Sequence, residues 1–304
     1  MNKPKLVLIG AGGQLGRTFI DECQSSALAE RVDLIPLLRS ELDITDKEQL
    51  TAELDQHAPQ IIINAAAYTA VDKAEQEREG AFAINERGAA NLAHWVARRC
   101  ALIHISTDFV FDGNASSPYG EEAVTHPLGV YGASKLAGEQ ALLKNSEQDI
   151  SVIRTSWLYS EHGANFVKTM LRLMAERDEL RIVDDQFGLP TSAHSLSRVL
   201  LKAVAQTMAG QALRGVLQWS DGGEAISWFD FATEIQTQAL ARGLLTRSAI
   251  LRPIPASDYP TPARRPAYSV MSRRRVLEQL GCAETVWQDE LGRVLDRLVQ
   301  QNVR

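Results

Sequence analysis

Tyr131 and Lys135 stand four residues apart in Tyr131-Gly-Ala-Ser-Lys135, a spacing that puts both side chains on one face of a helix. A phenol and an ammonium held together can handle a proton. The cation favours phenolate, lowers the tyrosine's pKa and lets it exchange a proton near neutral pH. The same spacing arises by chance as an exposed helix pair, so it needs support from elsewhere. Ser106-Thr107-Asp108 supplies it, at the end of the buried apolar run Ala101 to Ile105. A Thr107 hydroxyl there can point at the carbonyl that the tyrosine protonates. Strand-end threonines are most often structural, yet strand ends are where α/β proteins hold their ligands.

A second local signal opens the chain. Gly10-Ala-Gly-Gly13-Gln14-Leu15-Gly16 follows the apolar run Leu6 to Ile9 and precedes a helical pattern. Its glycines permit a tight turn, close approach of backbone to phosphate and close helix–strand packing, with the helix N-terminus facing a pyrophosphate. The alternative is a glycine-loaded turn without a ligand; its place at the first strand of an alternating chain favours a dinucleotide. The second strand ends Leu37-Leu38-Arg39, without the acidic residue that accepts from the ribose hydroxyls in NAD sites. Arg39 suits a 2′-phosphate, or is simply a solvated loop arginine; the reading is NADPH, with NADH possible. Asp43 and Ile44 are assigned to the adenine side, against the simpler reading of Asp43 as a turn cap. In Asn64-Ala-Ala66-Ala67-Tyr68-Thr69 the small residues let a flat cofactor lie on the backbone, or merely permit tight packing. Ile105 and Lys135 complete the candidate cofactor set, the lysine holding the nicotinamide ribose.

The elements that must position these residues alternate strictly in the first half. Leu6 to Ile9, Val32 to Leu38, Gln60 to Ile63, Ala101 to Ile105 and Ser151 to Ile153 lack polar alternation, as parallel strands covered on both faces should. Helical patterns lie between them over 72–99 and 131–145, and Thr45-Asp-Lys-Glu48 reads as a capping box starting another. The expected fold is α/β, a Rossmann-like doubly wound parallel sheet with a smaller C-terminal α/β substrate-binding lobe. Residues 1–156 form the dinucleotide domain, with a return to it around 190–222, and 157–304 form mainly the lobe. In that lobe helices are expected near 163–177, 194–208, 228–242 and 287–301, with strands near 181–183 and 216–219. Ser227-Trp-Phe-Asp230 reads as a capped helix start. The Pro-rich segment 252–262 is expected as an extended surface piece.

Composition narrows the classes. The 304 residues carry a formal charge of −6 and are 45% hydrophobic, which is globular and gives polymeric nucleic acid no basic face to meet. Cys23, Cys100 and Cys282 are scattered, and the six histidines show no ligand spacing, so neither a disulfide framework nor a metal site is expected. The run after Lys3 and Lys5 stops at Gly10, short of a signal core of about 7–15 residues. Nothing approaches the roughly 20 apolar residues of a membrane span. The expected setting is cytoplasmic.

Taken in order, these segments resemble the extended short-chain dehydrogenase/reductases, and among them the dTDP-4-dehydrorhamnose reductases. The resemblance is carried by Gly10 to Gly16, Asn64 to Glu75, Ser106 to Phe111 and Tyr131 to Glu139. It continues through Arg154 to Tyr159, Asn165 to Met170, Asp185 to Gly188 and Tyr259 to Pro266, and spans most of the chain. It implies Thr107, Tyr131 and Lys135 as the catalytic set, acting on a dTDP-sugar ketone. It places Val71, Thr107 and Asp108 beside the sugar, Trp157 as an aromatic wall, and Asn165, Lys168 and Arg265 at the nucleotide diphosphate. Some relatives bridge two subunits by magnesium through glutamates. The matching positions here hold Thr18 and His194, so that bridge is doubtful, though a homodimer stays possible. A dehydratase would carry Asp-Glu where this chain has Asp108-Phe109. An epimerase of the same superfamily, and a non-catalytic regulatory subunit like the β subunit of methionine adenosyltransferase, remain alternatives.

Overall fold

The computed structural model describes residues 3–97, 99–144 and 149–302. Its strands are β1 (Lys5–Ile9), β2 (Asp33–Leu37), β3 (Ile61–Asn64), β4 (Ala101–Thr107), β5 (Ile150–Thr155), β6 (Leu158–Tyr159), β7 (Glu179–Val183), β8 (Phe187–Gly188), β9 (Thr191–Ser192), β10 (Gly215–Trp219), β11 (Ile226–Ser227) and β12 (Ile250–Ile254). The helices are α1 (Gln14–Gln24), α2 (Lys47–His57), α3 (Val71–Ala74), α4 (Arg78–Phe82), α5 (Gly88–Val96), α6 (Val130–Leu143), α7 (Phe166–Glu176), α8 (Ala193–Met208), α9 (Trp228–Ala241), α10 (Arg274–Leu280) and α11 (Trp287–Asn302). Of the expected helices 72–99 and 131–145, residues 98 and 145 lie outside the described residues.

Six strands form one parallel sheet in the order β10-β5-β4-β3-β1-β2. The apolar runs are continuous because both faces are covered. Leu6, Leu8, Ile61 and Ile63 pack with Phe19, Leu196 and Leu200 on one side. Val7, Ile9 and Ile62 meet Leu50, Leu54, Leu92 and Trp95 on the other. From β1 the chain steps outward to β2 and then back across to β3, so the direction of winding reverses between β1 and β3. That reversal opens a crevice at the carboxyl ends of these strands. The fold expected from the sequence is the one that forms.

A separate core joins α7, α9 and α11 around Met170, Phe231, Ile235, Leu291 and Leu295. Beside it β7 pairs in parallel with β12, with Pro253 opposite Ile182. The expected extended Pro-rich segment is therefore partly strand, with a 3-10 turn at Ala256–Asp258. Proline is tolerated there because the pair has a free edge. Two other expectations are corrected. α2 is capped by Asp46, whose side chain accepts from the Glu48 and Gln49 N–H groups, because Thr45 turns its hydroxyl to Asp43. The long helix expected from 72 is broken and carries a π-helical turn at Ala83–Arg87. α10 was not anticipated. The box at Ser227 and Asp230 forms as read.

Candidate active site

The glycine turn is built for close approach. Gly10 holds φ of 82°, and a Cβ there would come within 2.6 Å of the Ala66 nitrogen. A Cβ on Gly16 would meet the Gly10 carbonyl at 2.4 Å. α1 starts after Gly13 with no side chain capping its first turn, which leaves N–H groups for an anion. A groove along this turn is lined by Gly10, Gly13, Arg39, Asp43, Ile44, Ala66 and Ala67, together with Leu42, Ala65 and Ile84. These features fit a dinucleotide. Ile84 had no local signal, because it reaches the groove from the π-helical turn.

The other residues assigned to a cofactor, Gln14, Leu15, Gly16, Tyr68, Thr69, Ile105, Tyr131 and Lys135, are not among those that line this groove. Leu15 is buried beneath the turn. Gln14 donates to the Leu158 carbonyl and accepts from Asn165. Asp43 accepts from the Thr45 N–H and hydroxyl, which hold its carboxyl below the usual range. Tyr68 donates its hydroxyl to Glu77 at 2.7 Å, which pushes the phenol up to about 12. Thr69 is exposed.

Tyr131 and Thr107 meet where α6 begins beside the end of β4. Glu75 sets the start of α6 by accepting from the Val130 N–H at 2.8 Å, a contact across 55 residues with no sequence signal. The Thr107 hydroxyl donates to Asp108 at 3.0 Å and stands beside the Tyr131 phenol. Burial of that phenol pushes it up to about 12, with the Thr107 hydrogen bond acting the other way. Burial also lifts Asp108 to about 6 against the Ser269 and Thr107 hydroxyls, and its Oδ2 has no partner among the described residues.

Lys135 corrects an expectation. Its Nζ donates to the Ile105 carbonyl at 2.6 Å and lies 3.3 Å from His104 Nε2. Burial brings it down to about 8, with Glu139 opposing. The ammonium thus points into the sheet, and the phenol is raised rather than lowered.

Of the residues assigned to substrate, Val71 begins α3 and its neighbour Asp72 takes a two-pronged ion pair from Arg265, at 3.1 and 2.9 Å. Asn165 caps α7 and donates to Gln14 and the Ser160 carbonyl, both at 2.7 Å. Lys168 donates to the Glu161 carbonyl. All three polar side chains expected at the diphosphate thus have internal partners. Trp157 holds φ of 45°, a region that bulky residues rarely adopt. It stacks on Trp228 with ring centroids 3.5 Å apart, against Gly188, where a Cβ would fall 2.7 Å from the indole. The local sequence around Ser227 and Asp230 signals only a helix start, and the part of Trp228 in the stack is not legible in it.

The positions weighed for magnesium hold protein contacts. Thr18 donates to the Gln14 carbonyl. His194 sits between two carboxylates, Nδ1 at 2.7 Å from Glu22 and Nε2 at 2.8 Å from Glu161. Burial works against charge on His194, but the Glu161 and Glu22 hydrogen bonds outweigh it and raise its pKa.

A doubly wound sheet with a glycine turn on its first strand and a Thr, Tyr, Lys set at the carboxyl end of its fourth defines a Rossmann-fold protein of the short-chain dehydrogenase/reductase type. Within that class, the chain belongs to the family described as RmlD substrate binding domain, which matches residues 4–300. It is 41% identical over 288 residues to a dTDP-4-dehydrorhamnose reductase of Aggregatibacter actinomycetemcomitans, covering 94% of this chain and 97% of that one. A dTDP-4-dehydrorhamnose reductase structure from Clostridium acetobutylicum is similar with a TM-score of 0.87, 35% identity and coverage of 97% and 99%. One from Bacillus anthracis, in complex with NADP, has a TM-score of 0.85, 35% identity and coverage of 97% and 100%.

Proposed function

We propose that this chain is an NADPH-dependent reductase that converts dTDP-4-dehydro-β-L-rhamnose to dTDP-L-rhamnose, for surface polysaccharide synthesis in the cytoplasm. The observation that supports the reading is the approach of the Thr107 hydroxyl to Tyr131, with Lys135 one turn along α6, in a chain so similar throughout to reductases of that name. NADPH, when bound, supplies a hydride for the sugar's C4. The Gly10–Gly16 turn and the α1 N-terminus hold its pyrophosphate, Arg39 its 2′-phosphate, Asp43 and Ile44 its adenine side. The run from Ala66 to Thr69 and Ile105 walls the nicotinamide half.

Tyr131 donates its proton to O4. A phenol at about 12 stays protonated through neutral pH, as a general acid must. Thr107 shares the hydrogen bond to O4, and Lys135 turns from the Ile105 carbonyl to the ribose. Val71, Asp108 and Trp157 border the sugar. Asn165, Lys168 and Arg265 reach the diphosphate only by exchanging their present partners. Residues 1–156 with 190–222 serve the cofactor, and 157–304 mainly the sugar nucleotide.

Loss of NADPH absorbance on adding dTDP-4-dehydrorhamnose tests the reading. Oxidation that depends on substrate is expected. No oxidation, together with tight capture of another protein, would put the chain with the regulatory subunits.

A further inference from the structure

Behind Tyr131 lies a polar chain that the proposed reaction does not use. Asn64 ends β3, His104 lies within β4, and both are buried with the Lys135 ammonium. The hydrogen bonds of this chain do not close around a charged lysine. Asn64 is oriented by its Oδ1, which accepts from the Ala66 N–H at 3.1 Å. Its Nδ2 therefore faces His104 Nδ1, 3.0 Å away, and an amide nitrogen only donates. Nδ1 must then be the bare nitrogen, so a neutral imidazole carries its hydrogen on Nε2. That hydrogen points at Lys135 Nζ, 3.3 Å away. An ammonium has three donors and no acceptor, so two N–H groups meet. A neutral amine instead accepts from Nε2 and still donates to the Ile105 carbonyl. A second proton on His104 is no escape, since burial and the adjoining lysine hold the imidazole well below its ordinary value.

We propose that Asn64 and His104 are positioning residues that lock the His104 tautomer as Nε2–H and thereby loosen Lys135's hold on its proton. The other groups around Lys135 act separately. Glu139, one turn along α6 and paired with Arg154 of β5, favours the ammonium. Tyr131 is a neutral phenol and Asp108 lies beyond it. Ser134 and Asn85, from α6 and the π-helical turn, are neutral and bonded to each other. The lock makes Lys135 a proton carrier poised near neutrality instead of a fixed cation, and this consequence rests on the proposed reductase reading.

Asn64→Asp tests the lock at nearly constant shape. The carboxylate still accepts from the Ala66 N–H but no longer donates, so His104 turns to Nδ1–H. Its Nε2 then accepts from the ammonium, and Lys135 gains basicity. Nitrogen NMR of histidine- and lysine-labelled protein without cofactor reads both groups, with Lys135 assigned by Lys135→Arg and His104 by His104→Gln. Wild type is expected to show Nε2–H. Asn64→Asp is expected to show Nδ1–H, with the Lys135 titration moved up by about one pH unit. Asn64→Ala removes the donor without adding charge and should move it less, in the same direction. Activity that needs the ammonium is lost as pH rises through the Lys135 pKa, so the alkaline limb of kcat/KM should move up with it. Nδ1–H in wild type, or an unmoved lysine in both variants, overturns the proposal. The NMR needs no turnover, so a chain that oxidises no NADPH would defeat the reductase reading without touching this result.

Discussion

The Tyr131–Lys135 cluster and the Glu22–His194–Glu161 cluster are both buried groups of ionisable side chains, and their surroundings drive them in opposite directions. Around Tyr131, burial wins: the phenol rises to about 12, Asp108 rises to about 6, Lys135 falls to about 8 and His104 falls well below its ordinary value. Every shift favours the neutral form, and Asp108 Oδ2 and the Ser106 hydroxyl have no partner among the described residues. Around His194, hydrogen bonding and opposite charge win over burial. The imidazole is raised and both carboxylates are lowered, while Arg297 stands 3.6 Å from Glu22 and 3.7 Å from Glu161. One cluster is unfinished and can take a reacting ligand; the other is complete and ties α1, α8 and the segment after β6 together. Perturbed groups mark a site when their partners are missing, and a brace when the partners are present.

Breaking the first cluster should cost turnover and little else. Tyr131→Phe removes one hydroxyl and keeps the ring against Phe109, 5.5 Å away between centroids. Loss of a general acid is expected to lower kcat about 10²–10⁴-fold, with NADPH affinity and melting temperature close to wild type. Turnover like that of wild type would take Tyr131 out of the mechanism.

Breaking the second should do the reverse. His194→Gln removes the buried one of the two cations that Glu22 and Glu161 share and leaves Arg297. Removal of one partner from a buried pair costs about 3–5 kcal/mol, and the remaining arginine argues for the lower end. Urea unfolding reads the loss, while NADPH binding stays. The pH dependence sharpens the contrast. His194 is raised in the fold, so its contribution is complete below its unfolded value and is lost as pH rises through the folded one. Glu22 and Glu161 are lowered, so theirs is present above the ordinary carboxylate value and is lost as pH falls through the folded ones. The stability difference between wild type and His194→Gln should therefore be widest between those limits and narrow on both sides. A difference that does not change with pH would mean that His194 braces by shape alone.

The two clusters also differ in how far the sequence could show them. Tyr131 and Lys135 were visible because a helix turn fixes their relation within five residues, and the glycine turn because it is a run of seven. The strands were visible because a sheet covered on both faces leaves no polar alternation to read. His194 came into view only by position, and its partners Glu22 and Glu161 lie 172 and 33 residues away. Asn64 stands out only as the head of the small-residue run after one apolar strand and His104 only as part of another, although a polar side chain at 1% exposure must have a partner. The direction of the Tyr131 shift is hidden from the sequence for the same reason. Spacing gave the neighbour, but not the carbonyl of Ile105 that claims the ammonium.

A third contrast, between two arginines, carries the smallest expected effect. Arg265 is held by Asp72 in a two-pronged pair, so its charge is already answered. Arg39 lines the groove at the end of β2, where the nearby Asp43 carboxylate is answered chiefly by Thr45. By the reasoning that separates the two clusters, Arg39 is the cation left for a ligand. Its phosphate contact would be a charge-assisted hydrogen bond, worth about 1.5–3 kcal/mol, and exposure to solvent argues for the lower end. Arg39→Ala should then weaken NADPH about tenfold while NADH, which has no 2′-phosphate, binds as before. Fluorescence titration with each cofactor separates the outcomes. Equal weakening of both would mean that Arg39 packs on the adenine and does not read the phosphate. Unchanged binding of both would return it to an ordinary solvated arginine.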